Sequence, residues 1–183
     1  GANEIDEICV ELLKLEDPQT GSTRIVRTVI IATTSNMPVA SRQASVYTCI
    51  TVAEYYRAMG LTVLVLADST SRWAQALREM SNRMEELPGP DAYPMDLPSV
   101  VSNFYARAGN VKLLNDANGS ITLVGIVSPA GGNLKEPVTE AKKKAAHSVY
   151  ELSSFSAKCK RYTSLESVSS YSNFPHFPVW VSY

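Results

Sequence analysis

The residues best placed to do chemistry are four polar side chains that follow a short apolar run. Residues 63–67 are apolar, and Asp68, Ser69, Ser71 and Arg72 follow this run directly. A carboxylate at the carboxyl end of a buried parallel strand lies where open α/β sheets bind their ligands. In the P-loop class of phosphoryl-transfer domains, such an acid helps to hold Mg²⁺. The run alone equally supports a second interpretation, in which Asp68 only caps the helix that begins near Ser69.

The composition excludes several classes of protein. The chain has 183 residues, is 45% hydrophobic and has a net charge of −1, which suits one domain or a large piece of one and gives no basic field for nucleic acid. No apolar run approaches the length of a transmembrane helix, and we expect no signal peptide. Cys9, Cys49 and Cys159 lie far apart, and neither they nor His147 and His176 form a metal-ligand motif. We expect buried free thiols in a reducing cytoplasm.

The segments that must position Asp68 alternate between strand and helix patterns. Apolar, β-branched runs predict buried strands at residues 27–33, 61–67 and 120–129. Helical periodicity predicts helices at residues 3–14, 38–59, 70–86, 100–109 and 140–152. This alternation predicts an α/β domain with a largely parallel sheet that is covered on both faces. Because a helix begins at residue 3 with no lead-in, we expect the chain to be a piece of a larger protein.

Two polar loops could take part in binding. Residues 87–99 contain four prolines and one glycine and must form a loop. Exposed Tyr93 and Met95 would suit a contact with a partner protein, and a rigid connector is the alternative. In residues 130–137, two adjacent glycines could cradle phosphate through backbone amides or could form a plain turn.

Three further patterns have structural interpretations. Trp73, Met80 and Met84 recur at helical spacing, which indicates a core stripe rather than a cofactor site. The run Lys142–Lys144 indicates a solvated face, and we assign no anion site there. Gly60 and Gly109 are each expected to end a helix.

Four longer segments are similar to one protein family. They are SNMPVASRQASVYT (35–48), LADSTSRWAQALRE (66–79), VSNFYARAG (101–109) and VSPAGGNLKEPVT (127–139). Over roughly residues 2–152 the chain resembles the catalytic A subunit of the V-type and archaeal-type rotary ATPases. The unbroken stretch NRMEELPGPDAYPMDLPSVVSNFYARAG makes the resemblance closest to the bacterial branch.

The resemblance implies a RecA-like core of the P-loop NTPase class with a mostly parallel sheet. Residues 1–152 would form a partial RecA-like nucleotide-binding domain, truncated on its N-terminal side so that the phosphate-loop strand is absent. Residues 153–183 would form a C-terminal extension that matches the family poorly. The family expects R-Y-P-A-V-N-P where residues 161–168 read RYTSLESV.

The resemblance also assigns roles to single residues. It implies that Asp68 orders Mg²⁺ and its waters, and that Ser69 and Ser71 are polar positions of the nucleotide site. Arg72 and Arg42 match arginines that border the catalytic pocket.

The roles assigned to the two arginines have alternatives, and the match at Tyr162 is incomplete. Arg72 could instead be a surface ion-pair residue for Glu79 or Glu85, and Arg42 could be a solvated helix residue. Tyr162 aligns with the aromatic residue that packs against adenine, although the proline that the family places after it is Thr163 here.

The resemblance implies an enzyme that hydrolyses or makes ATP and couples this reaction to proton or sodium transport. The ligands implied are ATP or ADP and Mg²⁺. The partners implied are B subunits and other A subunits in a hexameric ring and the subunits of a central stalk, with no nucleic acid. The location implied is cytoplasmic, in a soluble head that meets the membrane only indirectly, through the ion-translocating sector.

A motif that the sequence lacks limits this interpretation. The phosphate-cradling loop G-x-x-x-x-G-K-[ST] occurs at none of the nine glycines, and in the family both this loop and the catalytic glutamate lie upstream of Ala2. We therefore expect the chain alone to be inactive. The alternatives are a structural, subunit-contact fragment and, less well matched, a related hexameric RecA-like ATPase. Without the missing strand, residues 63–67 should present an open, apolar sheet edge.

Overall fold

The computed structural model describes residues 2–173, so His176 and the last ten residues of the predicted extension lie outside the described part. The chain divides into two compact units, which are described separately. The first contains the residues up to Pro94 together with Ala108–Ser128, and the second contains Met95–Arg107 and the residues from Pro129 onward. The sequence-based boundary after residue 152 concerns the domains of the family and stays a prediction.

The first unit is built around a small mixed sheet. Its strands are β1 (Thr62–Ala67), β2 (Gly109–Lys112) and β3 (Asn118–Gly125), in the order β1-β3-β2. β1 and β3 are parallel, and β2 and β3 form an antiparallel hairpin. The predicted strands at residues 61–67 and 120–129 are thereby confirmed. β2 was missed because Gly109 was interpreted as a helix end, whereas it begins this strand.

Three helices accompany this sheet. They are α1 (Ala2–Lys14), α2 (Val39–Ala58) and α3 (Thr70–Arg83), with short 3₁₀ turns at Arg24–Arg27 and Pro90–Ala92. Helix α2 packs on β1, on β3 and on α3. The prediction that Gly60 ends α2 is confirmed: its φ is +84°, and its amide donates to Arg57 O at 2.9 Å. Together with the bond from the Leu61 amide to Tyr56 O, this is a Schellman cap.

Gly119 on β3 lies where the helix cap approaches the sheet. A Cβ atom at this position would overlap the carbonyl oxygen of Arg57, which is the oxygen that caps α2. Gly119 therefore allows α2 and β3 to pack in direct contact.

The predicted strand at residues 27–33 is wrong. Arg24–Arg27 forms a 3₁₀ turn, and residues 28–34 have no regular structure, with Val29, Ile30 and Ile31 exposed. A strand needs a neighbour for its backbone amides and carbonyls, and within residues 2–173 none pairs with this segment. High β-propensity alone does not supply that neighbour.

Among residues 2–173 only one face of the sheet is buried, so the prediction of cover on both faces is wrong for the described part of the chain. Val65 and Ile121 are buried, whereas Leu64 and Leu66 are 61% and 65% exposed. The side chains of successive strand residues point to opposite faces, which explains the alternation. The apolar runs resembled doubly covered strands because both faces carry apolar residues.

The apolar stripe of α3 is only partly core. Trp73 is buried and its ring meets that of Tyr47 edge to face at 6.2 Å. Met80 is half-buried, and Met84 is exposed because the helix ends at Arg83. The core interpretation is therefore right for Trp73 and wrong for Met84.

The second unit combines short helices with a two-stranded sheet. Its elements are α4 (Leu97–Tyr105), α5 (Pro137–Ala145), β4 (Ser148–Val149), α6 (Ser154–Lys158) and β5 (Tyr171–Ser172), with a 3₁₀ turn at Ala130–Gly132. Helices α4 and α5 pack together, and β4 pairs with β5 in antiparallel fashion.

The two helices predicted in this second unit are shorter than the periodicity suggested. The first ends at Tyr105, before Gly109, and the second ends at Ala145 rather than at residue 152. Ala146 is already extended, and two residues later the chain enters β4. Tertiary pairing of β4 with β5 thus overrides the helical pattern there.

Candidate functional site

The central residue of the candidate site is Asp68, which follows the last residue of β1 directly. Its side chain is exposed and borders a shallow hollow. The peptide bond from Asp68 to Ser69 is cis. The other lining residues all come from α1 or directly follow it, and they are Glu4, Glu7, Ile8, Glu11, Leu12 and Leu15. The acid therefore lies at the carboxyl end of a parallel strand, facing solvent and further carboxylates.

Ser69, and not Asp68, caps helix α3. The Ser69 hydroxyl accepts a hydrogen bond from the Ser71 amide at 3.3 Å, and Ser69 has extended backbone angles, as N-cap residues do. The interpretation of Asp68 as a simple cap is therefore wrong. Its carboxylate lies at the hollow while a neighbour performs the capping.

Two further side chains attach this turn to the end of β3. The Thr70 amide and hydroxyl both donate to Ile126 O, at 3.0 and 2.9 Å. The Ser71 hydroxyl accepts from the Ser128 amide at 3.1 Å and lies 3.4 Å from Ser128 O. Ser71 thus has a structural partner in addition to its predicted place in the nucleotide site.

Thr70 was not singled out from the sequence, although it is almost fully buried and fixes the first turn of α3. Its position between two selected serines was the available signal. Its acceptor, Ile126, lies 56 residues further along the chain, and no local pattern indicates that contact.

Arg42 on α2 forms an ion pair with Glu79 on α3. Its Nη2 atom lies 3.1 Å from Oε2 of Glu79. The buried Nε atom of Arg42 has no hydrogen-bond partner among the described residues. The interpretation of Arg42 as a solvated helix residue is wrong, because the side chain is mostly buried and joins two helices.

Arg72 lies in the first turn of α3 and is exposed. Glu79, one of the two partners proposed for it from the sequence, is instead bound to Arg42. Arg72 is therefore a cationic side chain four residues from Asp68 in sequence, on the helix that starts beside the acid.

Tyr162 belongs to the second unit and is 86% exposed. An exposed ring is available for stacking, and its predicted contact with adenine stays a prediction. In the same unit, Phe104 is buried and meets the ring of Tyr105 edge to face at 5.6 Å, which indicates a packing role.

No preformed metal cluster lies in the described part of the chain: residues 2–173 contain no group of three His, Cys, Asp or Glu side chains arranged to hold one ion. The three cysteines are free thiols, as predicted, but none is fully buried: Cys9 and Cys49 are half-buried and Cys159 is exposed. Burial raises the pKa of the Cys49 thiol above its usual value.

Lys142 on α5 contradicts the solvated-face interpretation of the lysine run. The residue is only 4% exposed, and its Nζ atom has no hydrogen-bond partner in the described residues. Burial lowers the pKa of Lys142 to about 7, against the opposing effect of the Glu136 carboxylate. The run therefore includes one cation that the fold has removed from water.

The two loops selected from the sequence agree with the expectations except at Tyr93. Tyr93 is buried beneath the guanidinium of Arg78, which lies 4.9 Å from the ring centroid, so the expectation of an exposed Tyr93 is wrong. Met95 is exposed as expected. Residues 130–132 form a 3₁₀ turn in which the Gly132 amide bonds Pro129 O at 3.2 Å, which supports the plain-turn alternative.

Within residues 2–173, no helix is both long enough and apolar enough to span a lipid bilayer.

Comparison with known proteins adds a direct test of the resemblance. The family described as ATP synthase alpha/beta family, nucleotide-binding domain, matches residues 2–172. A V-type ATP synthase alpha chain of Treponema denticola is 53% identical over 174 residues, which are 95% of this chain and 30% of that protein. The corresponding chain of Borrelia recurrentis is 51% identical over 173 residues, which are 94% of this chain and 30% of that protein. The V-type ATP synthase alpha chain 2 of Clostridium tetani is 50% identical over 172 residues, which are 94% of this chain and 29% of that protein. The chain thus spans about 30% of the length of these curated relatives.

Proposed function

The chain belongs to the nucleotide-binding domain of the ATP synthase alpha/beta family, and on that basis we propose that it is part of the catalytic subunit of a rotary V/A-type ATPase. The whole enzyme would hydrolyse or make ATP and couple the reaction to proton or sodium transport across a membrane. The observation that carries this proposal is the exposed carboxylate of Asp68 at the carboxyl end of β1, beside the start of α3. This is the part of an α/β sheet at which ligands bind.

The proposed fold of the complete domain is a RecA-like, P-loop core. The parallel pairing of β1 with β3 and the packing of α2 on both strands support it. The phosphate loop itself would come from a part of the subunit that this sequence does not contain.

Mg²⁺ fits the residues present at the strand end. This ion keeps several water ligands and needs only one or two protein carboxylates besides the phosphates of its nucleotide. A single exposed Asp68 meets that requirement, and the lack of a three-ligand cluster within residues 2–173 agrees with it. Bound there, Mg²⁺ would offset charge on the phosphate oxygens.

The proposed reaction is attack of an in-line water on the γ-phosphorus of ATP. The new P–O bond forms to the water oxygen, the bond to the β-phosphate oxygen breaks, and ADP and phosphate leave. Asp68 would orient the waters around the metal, and the exposed cation Arg72 would offset negative charge on the phosphates. Arg42 would act on the pocket only through α3, because its guanidinium is bound to Glu79.

Ser69 and Ser71 would contribute by holding Asp68 in place. Their hydroxyls cap α3 and attach it to Ser128, so the first turn of the helix is fixed relative to the sheet. Positioning of this kind is a large part of catalysis in phosphoryl transfer. Tyr162 would stack on adenine in the complete subunit.

The proposed partners are B subunits, other A subunits and central-stalk subunits in a hexameric ring. The described loop that best suits such a contact is residues 87–96, where Met95 projects into solvent. The soluble head formed in this way would be cytoplasmic and would meet the membrane only through other subunits.

A second candidate is a structural, subunit-contact role without activity, favoured by the exposed side chain of Met95 in the loop of residues 87–96. The 183-residue chain alone should not turn over ATP under either candidate. Mg²⁺-dependent hydrolysis by a purified, uncontaminated sample would contradict this expectation.

The decisive experiment places the chain in a complete subunit. Residues 2–172 would replace the matching segment of the Treponema denticola V-type ATP synthase alpha chain, and the assembled complex would be assayed for ATP turnover. Turnover comparable to that of the parent complex supports the catalytic proposal. A chimera that assembles into the complex but has no turnover favours the structural role.

A further inference from the structure

The turn between β1 and α3 is attached to the end of β3 on both sides of Asp68, and by the same residue. The Ile126 amide donates to Ala67 O at 3.0 Å, at the end of the β1–β3 pairing. The Ile126 carbonyl oxygen accepts from the amide of Thr70 at 3.0 Å and from its hydroxyl at 2.9 Å. Asp68 and Ser69 therefore lie between two attachments to Ile126, and a shift of either attachment would move Asp68.

Thr70 makes the attachment that is best shielded from water. It is only 2% exposed, whereas the bonds between Ser71 and Ser128 lie at the surface. Water competes with a hydrogen bond at an exposed position far more than at a buried one, so the bond of the Thr70 hydroxyl should hold its geometry better. Thr70 and Ile126 both belong to the first unit, so described residues make the whole attachment.

We propose that Thr70 is a positioning residue for Asp68: its hydroxyl, through Ile126, holds the carboxylate where it acts on the waters around Mg²⁺. This inference rests on the proposed catalytic function. Thr70 would act only through the backbone, because its side chain is buried and its hydroxyl is bonded to Ile126 O. A catalytic group needs supporting contacts that hold it to within about 0.5 Å of its productive position.

Three variants isolate the contribution of the Thr70 hydroxyl. In Thr70→Val the side chain keeps a similar shape and the backbone amide can still donate to Ile126 O, so no buried carbonyl oxygen loses its last partner. Thr70→Ser is the conservative variant, because it keeps a hydroxyl. Thr139→Val is the matched control in the second unit, since Thr139 is 5% exposed and its hydroxyl donates to Glu136 Oε1 at 3.0 Å.

The first readout is ATP turnover by the assembled chimera. Thr70→Val should lower kcat about tenfold and keep the KM for ATP within about twofold, because a displaced Asp68 weakens the transition state more than nucleotide binding. Thr70→Ser and Thr139→Val should retain the kcat of the unsubstituted chimera. A Thr70→Val complex with full kcat, or equal losses in either of the other two variants, overturns the proposal.

The same assay separates this inference from the proposed function. If Asp68→Asn lowers turnover and Thr70→Val does not, only the positioning role of Thr70 is wrong. If Asp68→Asn leaves turnover unchanged, the proposed function of Asp68 is wrong and the positioning role falls with it.

Amide hydrogen exchange on the 183-residue chain tests the attachment without nucleotide or metal. The amides of residues 70–72 each donate a hydrogen bond in the structure. Thr70→Val should speed their exchange by about fivefold, whereas Thr139→Val should not change it. Unchanged exchange in Thr70→Val would mean that the hydroxyl does not hold the turn, and the proposal would be wrong.

The wild-type chain gives a check that depends on no variant. Its Thr70 amide is bonded to Ile126 O, whereas the Ser71 amide reaches only the hydroxyl of the nearby Ser69. Relative to their intrinsic rates, the Thr70 amide should exchange more slowly than the Ser71 amide by about fivefold or more. Equal protection of the two amides would show that the attachment to Ile126 does not hold the turn, which overturns the proposal.

Discussion

The guanidinium of Arg42 lies 3.1 Å from the carboxylate of Glu79 and connects α2 to α3. The two side chains are 20% and 43% exposed, so the pair is neither fully solvated nor buried. It holds the helix that starts beside Asp68 against the helix that covers the sheet. A pocket arginine predicted from the sequence is thus also a structural contact.

Loss of this ion pair should cost a measurable part of the stability. Glu79→Gln should lower the free energy of unfolding by about 1 kcal/mol, because the guanidinium of Arg42 loses its charged partner. Urea denaturation of the two proteins measures the difference. Asp116→Asn, which breaks the well-exposed pair with Lys112, is the matched control and should change stability by less than about 0.5 kcal/mol. Equal effects of both substitutions would mean that the Arg42–Glu79 pair stabilises the fold no more than the exposed Lys112–Asp116 pair.

Asp68→Asn should remove activity from the assembled chimera without unfolding it. The amide keeps the shape of the side chain but loses the charge that attracts Mg²⁺, so turnover should fall by about 100-fold or more. The steady-state rate at several Mg²⁺ concentrations measures this effect. Asp116→Asn changes another exposed aspartate, in the β2–β3 turn, and should leave the rate unaltered. A chimera that carries Asp68→Asn and retains the full rate would remove Asp68 from the site.

Lys142 should make the stability of the chain depend on pH in the alkaline range. Its pKa is about 7 in the folded chain and near 10.5 when unfolded, so between these values the unfolded chain binds more protons. Stability therefore rises with pH from about 7 to 10.5, by up to about 1.4 kcal/mol per pH unit, and the penalty of the buried charge is fully present below pH 7.

Lys142→Met removes this titration and should flatten the rise. Chemical denaturation at a series of pH values between about 6 and about 10 gives the two profiles. Lys144→Met, at an exposed position of the same helix, should keep the wild-type slope. If the profiles of the wild type and Lys142→Met are parallel throughout, Lys142 does not titrate in this range.

Gly119→Ala should destabilise the first unit by about 3 kcal/mol. The added methyl group would overlap the Arg57 carbonyl oxygen, and either the helix cap or the strand must move. Thermal or urea unfolding detects the loss, and Asn118→Ala on the adjacent exposed position is the control. A stable Gly119→Ala chain would show that α2 and β3 can separate without cost.

The features predicted best from the sequence are those that depend on a local residue pattern. The apolar run of β1, the helical periodicity of α2 with its final glycine, and the strand-end position of Asp68 are all found in the structure. The site roles of all six selected residues stay predictions: Asp68, Ser69, Ser71, Arg42, Arg72 and Tyr162. The roles of the two arginines and of Tyr162 came from the resemblance alone.

Features that depend on contacts between residues far apart along the chain could not be predicted from the sequence pattern. Residues 28–33 have the composition of a strand, but within residues 2–173 no strand lies beside them. Lys142 lies in a lysine run that indicates solvent, yet the packing of the second unit buries it. The local signal for Thr70 was its position between two selected serines, but only the fold reveals Ile126 as its acceptor.

The bonds from Thr70 to Ile126 and from Ser71 to Ser128 also set an order of events during synthesis. After a ribosome has released β1 and α3, the acceptors for this turn do not yet exist, since Thr70 and Ile126 are 56 positions apart. Until then the turn that carries Asp68 lacks its attachment to the sheet. The turn that carries Asp68 can be attached to the sheet only after β3 has emerged and joined β1.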